Sequence, residues 1–165
     1  MAISPSIGRV VWRNLAMAGV IAGAMSTVAM TASAGECPAD KVVADGKGQE
    51  DKGMAAKDVT DMVLAWIDLS KEMVALNDHQ FRMRQLEIKP GGVVPWHSHA
   101  DRPALIYVVK GEITEYASTC AVPIVHKAGY VSVDAGRSHW WKNTGKKTVV
   151  LISADILHDK MDKNM

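Results

Sequence analysis

Residues 91–111 read Gly91-Gly92-Val93-Val94-Pro95-Trp96-His97-Ser98-His99-Ala100-Asp101-Arg102-Pro103-Ala104-Leu105-Ile106-Tyr107-Val108-Val109-Lys110-Gly111. Side chains alternate faces along a strand, so two histidines one residue apart in an extended segment point the same way. Both imidazoles then reach one ion. The run from Ala104 to Val109 is apolar and β-branched, as in a buried strand, and Gly111 permits a hairpin into the next. Downstream, Ser138-His139-Trp140-Trp141-Lys142-Asn143 supplies a third histidine on another predicted strand.

Working outward, the pattern predicts strands near 62–69, 81–89, 94–99, 104–109, 112–119, 123–127, 130–133, 139–142 and 148–154. Pro90-Gly91-Gly92 is expected to end the second strand, and Asn77-Asp78 and residues 143–146 mark turns. Many short strands separated by Gly and Pro turns suggest a closed or double-sheet β fold.

These residues resemble the cupin superfamily. Gly91, His97, His99 and Gly111 fit the first cupin motif, and Ala104 stands where that motif has a glutamate. Gly129, Gly136, His139 and Asn143 fit the second motif, with Asp134 at its proline and the first gap one residue short. The resemblance covers residues 80–155. It implies an all-β, single-domain jelly-roll barrel spanning residues 58–158, with His97, His99 and His139 on its inner face.

A histidine ligand must be neutral, and its second ring nitrogen usually donates to an acceptor that orients it. Three imidazoles without a carboxylate leave the full charge on a divalent ion. The common non-haem iron set has two histidines and one acid, but some cupin oxygenases work with three histidines. The resemblance thus implies an Fe(II)-type, dioxygenase-like site acting on a small molecule, with Mn, Ni or Zn as other ions. The competing reading is a non-catalytic periplasmic cupin that binds a metal or small ligand. Arg102, Ala104, Tyr107, Tyr116 and Trp141 are candidates for the pocket wall. Asp101 offers a carboxylate if its loop bends inward, although a solvent-facing loop acid is the plainer expectation. Alternation turns Trp96 and Trp140 away from the histidines. His126 reads as structural, and His79 and His158 read as surface residues.

The 165 residues suit one domain. Arg9 and Arg13 precede an apolar run from Leu15 to Met30, and Ala32-Ser33-Ala34 is an A-x-A cleavage site. Residues 1–34 are therefore expected to be a signal peptide cut after Ala34, giving a periplasmic or secreted protein without a stable membrane anchor. Removing them takes away two arginines and no acid, leaving 17 basic and 18 acidic residues. That balance argues against a nucleic-acid partner; the small-molecule ligand or substrate is what the resemblance implies. A homodimer is a further expectation. Residues 35–57 are polar and rich in Gly, Lys and Asp, which predicts a flexible leader. Residues 159–165 read as a polar tail. Cys37 and Cys120 can form one disulfide in an exported protein, with two free thiols as the alternative.

Overall fold

The structure is a computed structural model and describes residues 35–158. The expected signal peptide and polar tail lie outside the described residues. The strands are β1 (Lys57–Asp68), β2 (His79–Ser98), β3 (Ala104–Lys110), β4 (Glu112–Ala117), β5 (Ile124–Lys127), β6 (Val131–Asp134), β7 (Ser138–Lys142) and β8 (Val149–His158). The helical elements among the described residues are two single 3-10 turns, Ala39–Lys41 and Leu69–Lys71. No described helix is long and apolar enough to cross a membrane. All strand pairings are antiparallel, in the order β5-β4-β7-β2-β8-β3-β6, with β1 added to β2. The sheet curls into a nearly closed barrel.

β2 organises this barrel. Its first half, His79 to Ile88, pairs with β8 on one side and with β1 on the other. Its second half pairs with β7, in a register that sets His97 opposite His139. The Pro90-Gly91-Gly92 step, expected to end a strand, is instead the corner at which β2 passes from one half of the barrel to the other. Strands commonly change sheets through such bends. Gly91 has φ +77°, a left-handed conformation that a residue with a Cβ resists. At Gly92 a Cβ would lie 2.8 Å from the Ile88 side chain and 2.9 Å from the Asp58 carbonyl.

Asn143 fastens this corner. Its backbone N–H donates to the Gly92 carbonyl, and its own carbonyl accepts from the Gly91 N–H. Its side-chain amide donates to the carbonyls of Ile88 and Lys147, both at 2.8 Å, while its Oδ1 accepts from the Gly145 N–H. The buried Asn143 side chain therefore has its polar groups satisfied.

Strand alternation fills the barrel. Leu86 and Ile88 of β2, Ile106 and Val108 of β3, Ile113 of β4, Trp141 of β7 and Val149 and Leu151 of β8 form one buried cluster. A smaller cluster of Ala117, Cys120 and Ile124 lies under the N-terminal segment, with Cys37 packed against it.

That segment takes a defined path. Cys37 is disulfide-bonded to Cys120. Val43, Gly48 and Gln49 donate backbone hydrogen bonds to the carbonyls of Thr119, Ser118 and Ala117, and Ser118 Oγ bonds to Asp45. Residues 37–49 have little apolar surface to bury, which is why composition reads them as a free leader. Polar main-chain bonds and the disulfide hold them instead.

Candidate metal centre

His97 and His99 leave the end of β2, and His139 stands opposite His97 on β7. Their Nε2 atoms form a triangle with sides of 3.0, 3.1 and 3.1 Å. All three side chains are buried. Each Nδ1 faces an oxygen acceptor. His97 donates to the Pro95 carbonyl at 2.9 Å, His99 to the Arg102 carbonyl at 2.6 Å, and His139 to the Glu115 carboxylate at 2.6 Å. These partners place the ring protons on Nδ1 and leave three lone pairs converging on one point. Burial, and after it the neighbouring His139, holds His97 down to about 2 and His99 down to about 4. Both are neutral at physiological pH, as a metal ligand must be.

The triangle fits a cation. Three nitrogens about 2.1 Å from one ion and at right angles to each other lie about 3.0 Å apart, whereas tetrahedral angles spread them to about 3.4 Å. The observed spacing matches three adjacent corners of an octahedron. Lone pairs this close repel each other unless a positive charge stands between them.

Glu115 supports the triangle from behind, and nothing in the sequence motifs marks it. Its inward alternation with Ile113 and Ala117 is the signal that could have found it. Oε1 accepts from His139, and Oε2 accepts from His126 Nε2 at 2.7 Å. Arg137 reaches the same carboxylate at 3.0 Å and also pairs with Asp134. Burial alone would raise the Glu115 carboxyl. The hydrogen bonds from His126 and His139, with the charge of Arg137, outweigh it and hold the carboxyl well below the usual range. Glu115, Asp134 and His139 lie close enough to suggest a second cation site. The Arg137 guanidinium between the two acids makes them an internal ion-pair network instead. His126 is structural, as expected, stacked between Trp141 and Tyr130 with ring centroids 4.8 and 5.0 Å away.

A cavity of about 20 Å³ opens beside the triangle, lined by His97, His99, Arg84, Ile106, Trp141 and Ser153, with further aliphatic side chains. A water needs about 10–15 Å³ measured this way, so the space holds one small molecule of that order. Trp141 is the expected pocket residue that the cavity uses, and its indole N–H points at the His139 ring. Tyr107 is a correction: it lies 43% exposed on the outer face, because β3 alternation turns Ile106 inward in its place. Tyr116 is another: it stacks on Trp140 at 3.8 Å, on the side of β4 opposite Glu115. Ala104 is buried and in register with Asp134 and Asp155, outside the cavity lining. Arg102 is buried, and its carbonyl accepts the hydrogen bond from His99 Nδ1. Asp101 is exposed. His79 and His158 pair across β2 and β8, their rings tilted at 35° with centroids 4.5 Å apart.

Arg84 is the cavity residue that sequence patterns did not single out. It is 5% exposed, bonded to Asp61 of β1, and 3.2 Å from Asp155. Arg82 pairs with the same Asp155 at 2.8 Å. Two arginines and two aspartates thus compensate each other beside the cavity.

The cupin domain family model matches residues 84–155. Among solved structures, the chain is similar to the cupin domain of an XRE family transcriptional regulator from Enterobacter cloacae, at 16% identity and TM-score 0.47. That match covers 60% of this chain and 96% of the other. It is also similar to a predicted oxalate decarboxylase from Thermotoga maritima, at 21% identity and TM-score 0.44, covering 63% and 99%. An uncharacterised protein with a double-stranded β-helix domain from Klebsiella pneumoniae matches at 16% identity and TM-score 0.48, covering 66% and 82%. No curated protein matches the chain. The family match falls on the segment that holds both histidine motifs, and residues 84–155 of the chain are a cupin domain.

Proposed function

We propose that this protein binds one divalent transition metal, Fe(II) before Mn, Ni or Zn, between His97, His99 and His139, and acts on a small molecule as a dioxygenase-like enzyme. One observation carries the reading: three buried imidazoles converge with octahedral spacing and with every Nδ1 proton already committed. When bound, such an ion supplies a Lewis acid and a redox centre at which substrate and O2 can meet.

The chain's own residues do the rest. Glu115 fixes the His139 tautomer and raises its basicity, and Arg137 keeps Glu115 ionised. Leu86, Val94, Ile106 and Leu151 form the apolar wall of the cavity and limit water. Arg84 and Ser153 provide its polar side. The small volume beside the histidines favours the second reading, a non-catalytic periplasmic cupin that holds a metal or small ligand.

Export belongs to the same proposal. A basic start, an apolar run and Ala32-Ser33-Ala34 support cleavage after Ala34. The Cys37–Cys120 bridge suits the oxidising space outside the cytoplasm.

The test is metal analysis of protein purified without added metal, followed by Co(II) titration and O2 uptake with small-molecule pools. One equivalent of metal, lost in His97→Ala, supports the site, and weak six-coordinate Co(II) bands support its geometry. Oxygen consumption with a substrate selects the enzyme, and metal binding without turnover selects the binding protein. A wild-type chain that takes up none of these ions ends both metal readings.

A further inference from the structure

Cleavage after Ala34 leaves Gly35 as the first residue, and Gly35 is buried. Chain termini usually lie at the surface, and a charged amine held away from water needs partners. Gly35 lies against the ring of Tyr130. A Cβ there would stand 2.4 Å from two ring carbons and 2.7 Å from a third, so a side chain has no room at this position. Covalent geometry puts the Gly35 nitrogen about 2.5 Å from that Cβ position, and so within about 5 Å of the same ring carbons. A cation over an aromatic face, within about 6 Å of its centroid, is attracted to it.

A cavity of about 230 Å³ opens at this point, lined by Gly35, Glu36, Tyr130, Ser132, Glu115 and Arg137 among others. Apart from the three histidines' own cavity, it is the place where buried charges gather, and its charges do not balance. Arg137 is shared between Glu115, at 3.0 Å, and Asp134, which also accepts from Ser132 Oγ at 2.9 Å. Glu36 adds a third acid on the cavity wall. Burial raises the Tyr130 hydroxyl, and the charges of Glu36, Glu115 and Asp134 raise it further against the pull of Arg137. Asp134 is fully buried, and its Oδ2 takes no hydrogen bond among the described residues. A buried charge without a partner is costly, so three acids beside one guanidinium suit a second cation that brings several donors.

The chain itself supplies one within reach. Cys37, two residues after Gly35, is bridged to Cys120. Two residues span at most about 7 Å, so the amine cannot stray far from the cavity. A group tethered this closely has an effective concentration on the order of millimolar or more, ahead of a free amine in solution.

We propose that this cavity is an ammonium site, and that its occupant is the α-amine of Gly35 freed by cleavage after Ala34, seated on Tyr130 and facing the carboxylates of Glu36, Glu115 and Asp134. The inference rests on the proposed cleavage and is independent of the metal.

The test uses the full chain exported by a bacterial host and purified with its disulfide intact. Intact mass identifies the first residue. A chain that keeps residues 1–34, or begins elsewhere, overturns the cleavage and this inference together. For a chain that begins at Gly35, the α-amine is acetylated with a succinimidyl ester at neutral pH, and peptide mapping gives its rate in the folded protein and in urea. The folded rate is expected to be at least fivefold slower. A smaller ratio overturns the ammonium site and leaves the cleavage standing. Tyr130→Ala removes the seat, so the protection should fall below fivefold, whereas Tyr130→Phe should keep it. A folded Tyr130→Ala chain that stays protected overturns the site. If Tyr130→Ala fails to fold, a chain with one alanine inserted before Gly35 decides. Its amine stands one residue further out, and protection above fivefold there overturns the site as well.

Discussion

His139 and Glu115 meet in a 2.6 Å hydrogen bond between two groups that solvent does not reach. The carboxylate fixes the imidazole proton on Nδ1 and aims Nε2 at its two partners. It also carries a second histidine and an arginine, so its charge is set before any metal arrives.

Glu115→Gln tests that role. The side chain keeps its size but loses the charge that raises His139 basicity. Metal affinity should fall about 10–100-fold, the usual cost of losing such a partner. A competition titration against a chelator measures it. Unchanged affinity in a folded variant would show that His139 needs no carboxylate.

The three histidines were legible in the sequence because H-x-H on a strand and the position of His139 obey a spacing rule. Glu115 and Arg84 were not, because a charged residue at an inward position looks like any strand polar residue until its partners are known. Glu115 faces residues 11 and 24 positions away, and Arg84 faces Asp61 and Asp155. Pro90-Gly91-Gly92 reads as a stop because those residues break regular pairing. In the fold they do so only by exchanging partners, β1 and β8 for β7, which depends on strands distant in sequence. The chemistry of Tyr107 suits a pocket wall, but β3 alternation puts it outside.

The depressed histidines make the metal-free protein acid-sensitive. Below pH about 6.5 the unfolded chain protonates these imidazoles, while the folded chain resists down to about 4 at His99 and about 2 at His97. The unfolded state then binds more protons, so stability falls as pH falls through this window. Each histidine contributes about 1.4 kcal/mol per pH unit there. Urea midpoints of metal-free protein between pH 7 and pH 5 should decline steadily. A flat profile would mean that the imidazoles titrate normally when folded.

Asp155 holds two guanidiniums, with Arg82 bidentate at 3.0 and 2.8 Å and Arg84 at 3.2 Å. Its side chain is fully buried. Asp155→Asn keeps the shape and removes the buried charge that both guanidiniums face. Breaking a buried pair this way costs about 3–5 kcal/mol. Denaturant unfolding of the variant checks it, and a loss under about 1 kcal/mol would show that water already screens this cluster.

The Cys37–Cys120 bridge closes a loop with a sequence separation of 83. Chain entropy assigns about 4–5 kcal/mol to a loop of that length, as an upper value. The bridge also ties residues 37–49 to the turn after β4, where Val43, Gly48 and Gln49 donate to three consecutive carbonyls. Those bonds are few and near solvent, so they should not survive without it. Cys37→Ser with Cys120→Ser is therefore expected to lower the unfolding free energy by up to that amount, and to speed amide exchange at Val43, Gly48 and Gln49. Metal affinity should stay the same. Ala117 stands opposite His139 in the β4–β7 pairing, but Glu115 and the β2–β7 register hold the imidazole without help from the N-terminal segment. Denaturant unfolding, hydrogen exchange and metal titration on the double variant separate these outcomes. Unchanged stability and unchanged exchange would show that polar contacts alone anchor the segment. Weakened metal binding would show that the disulfide reaches the site through Ala117.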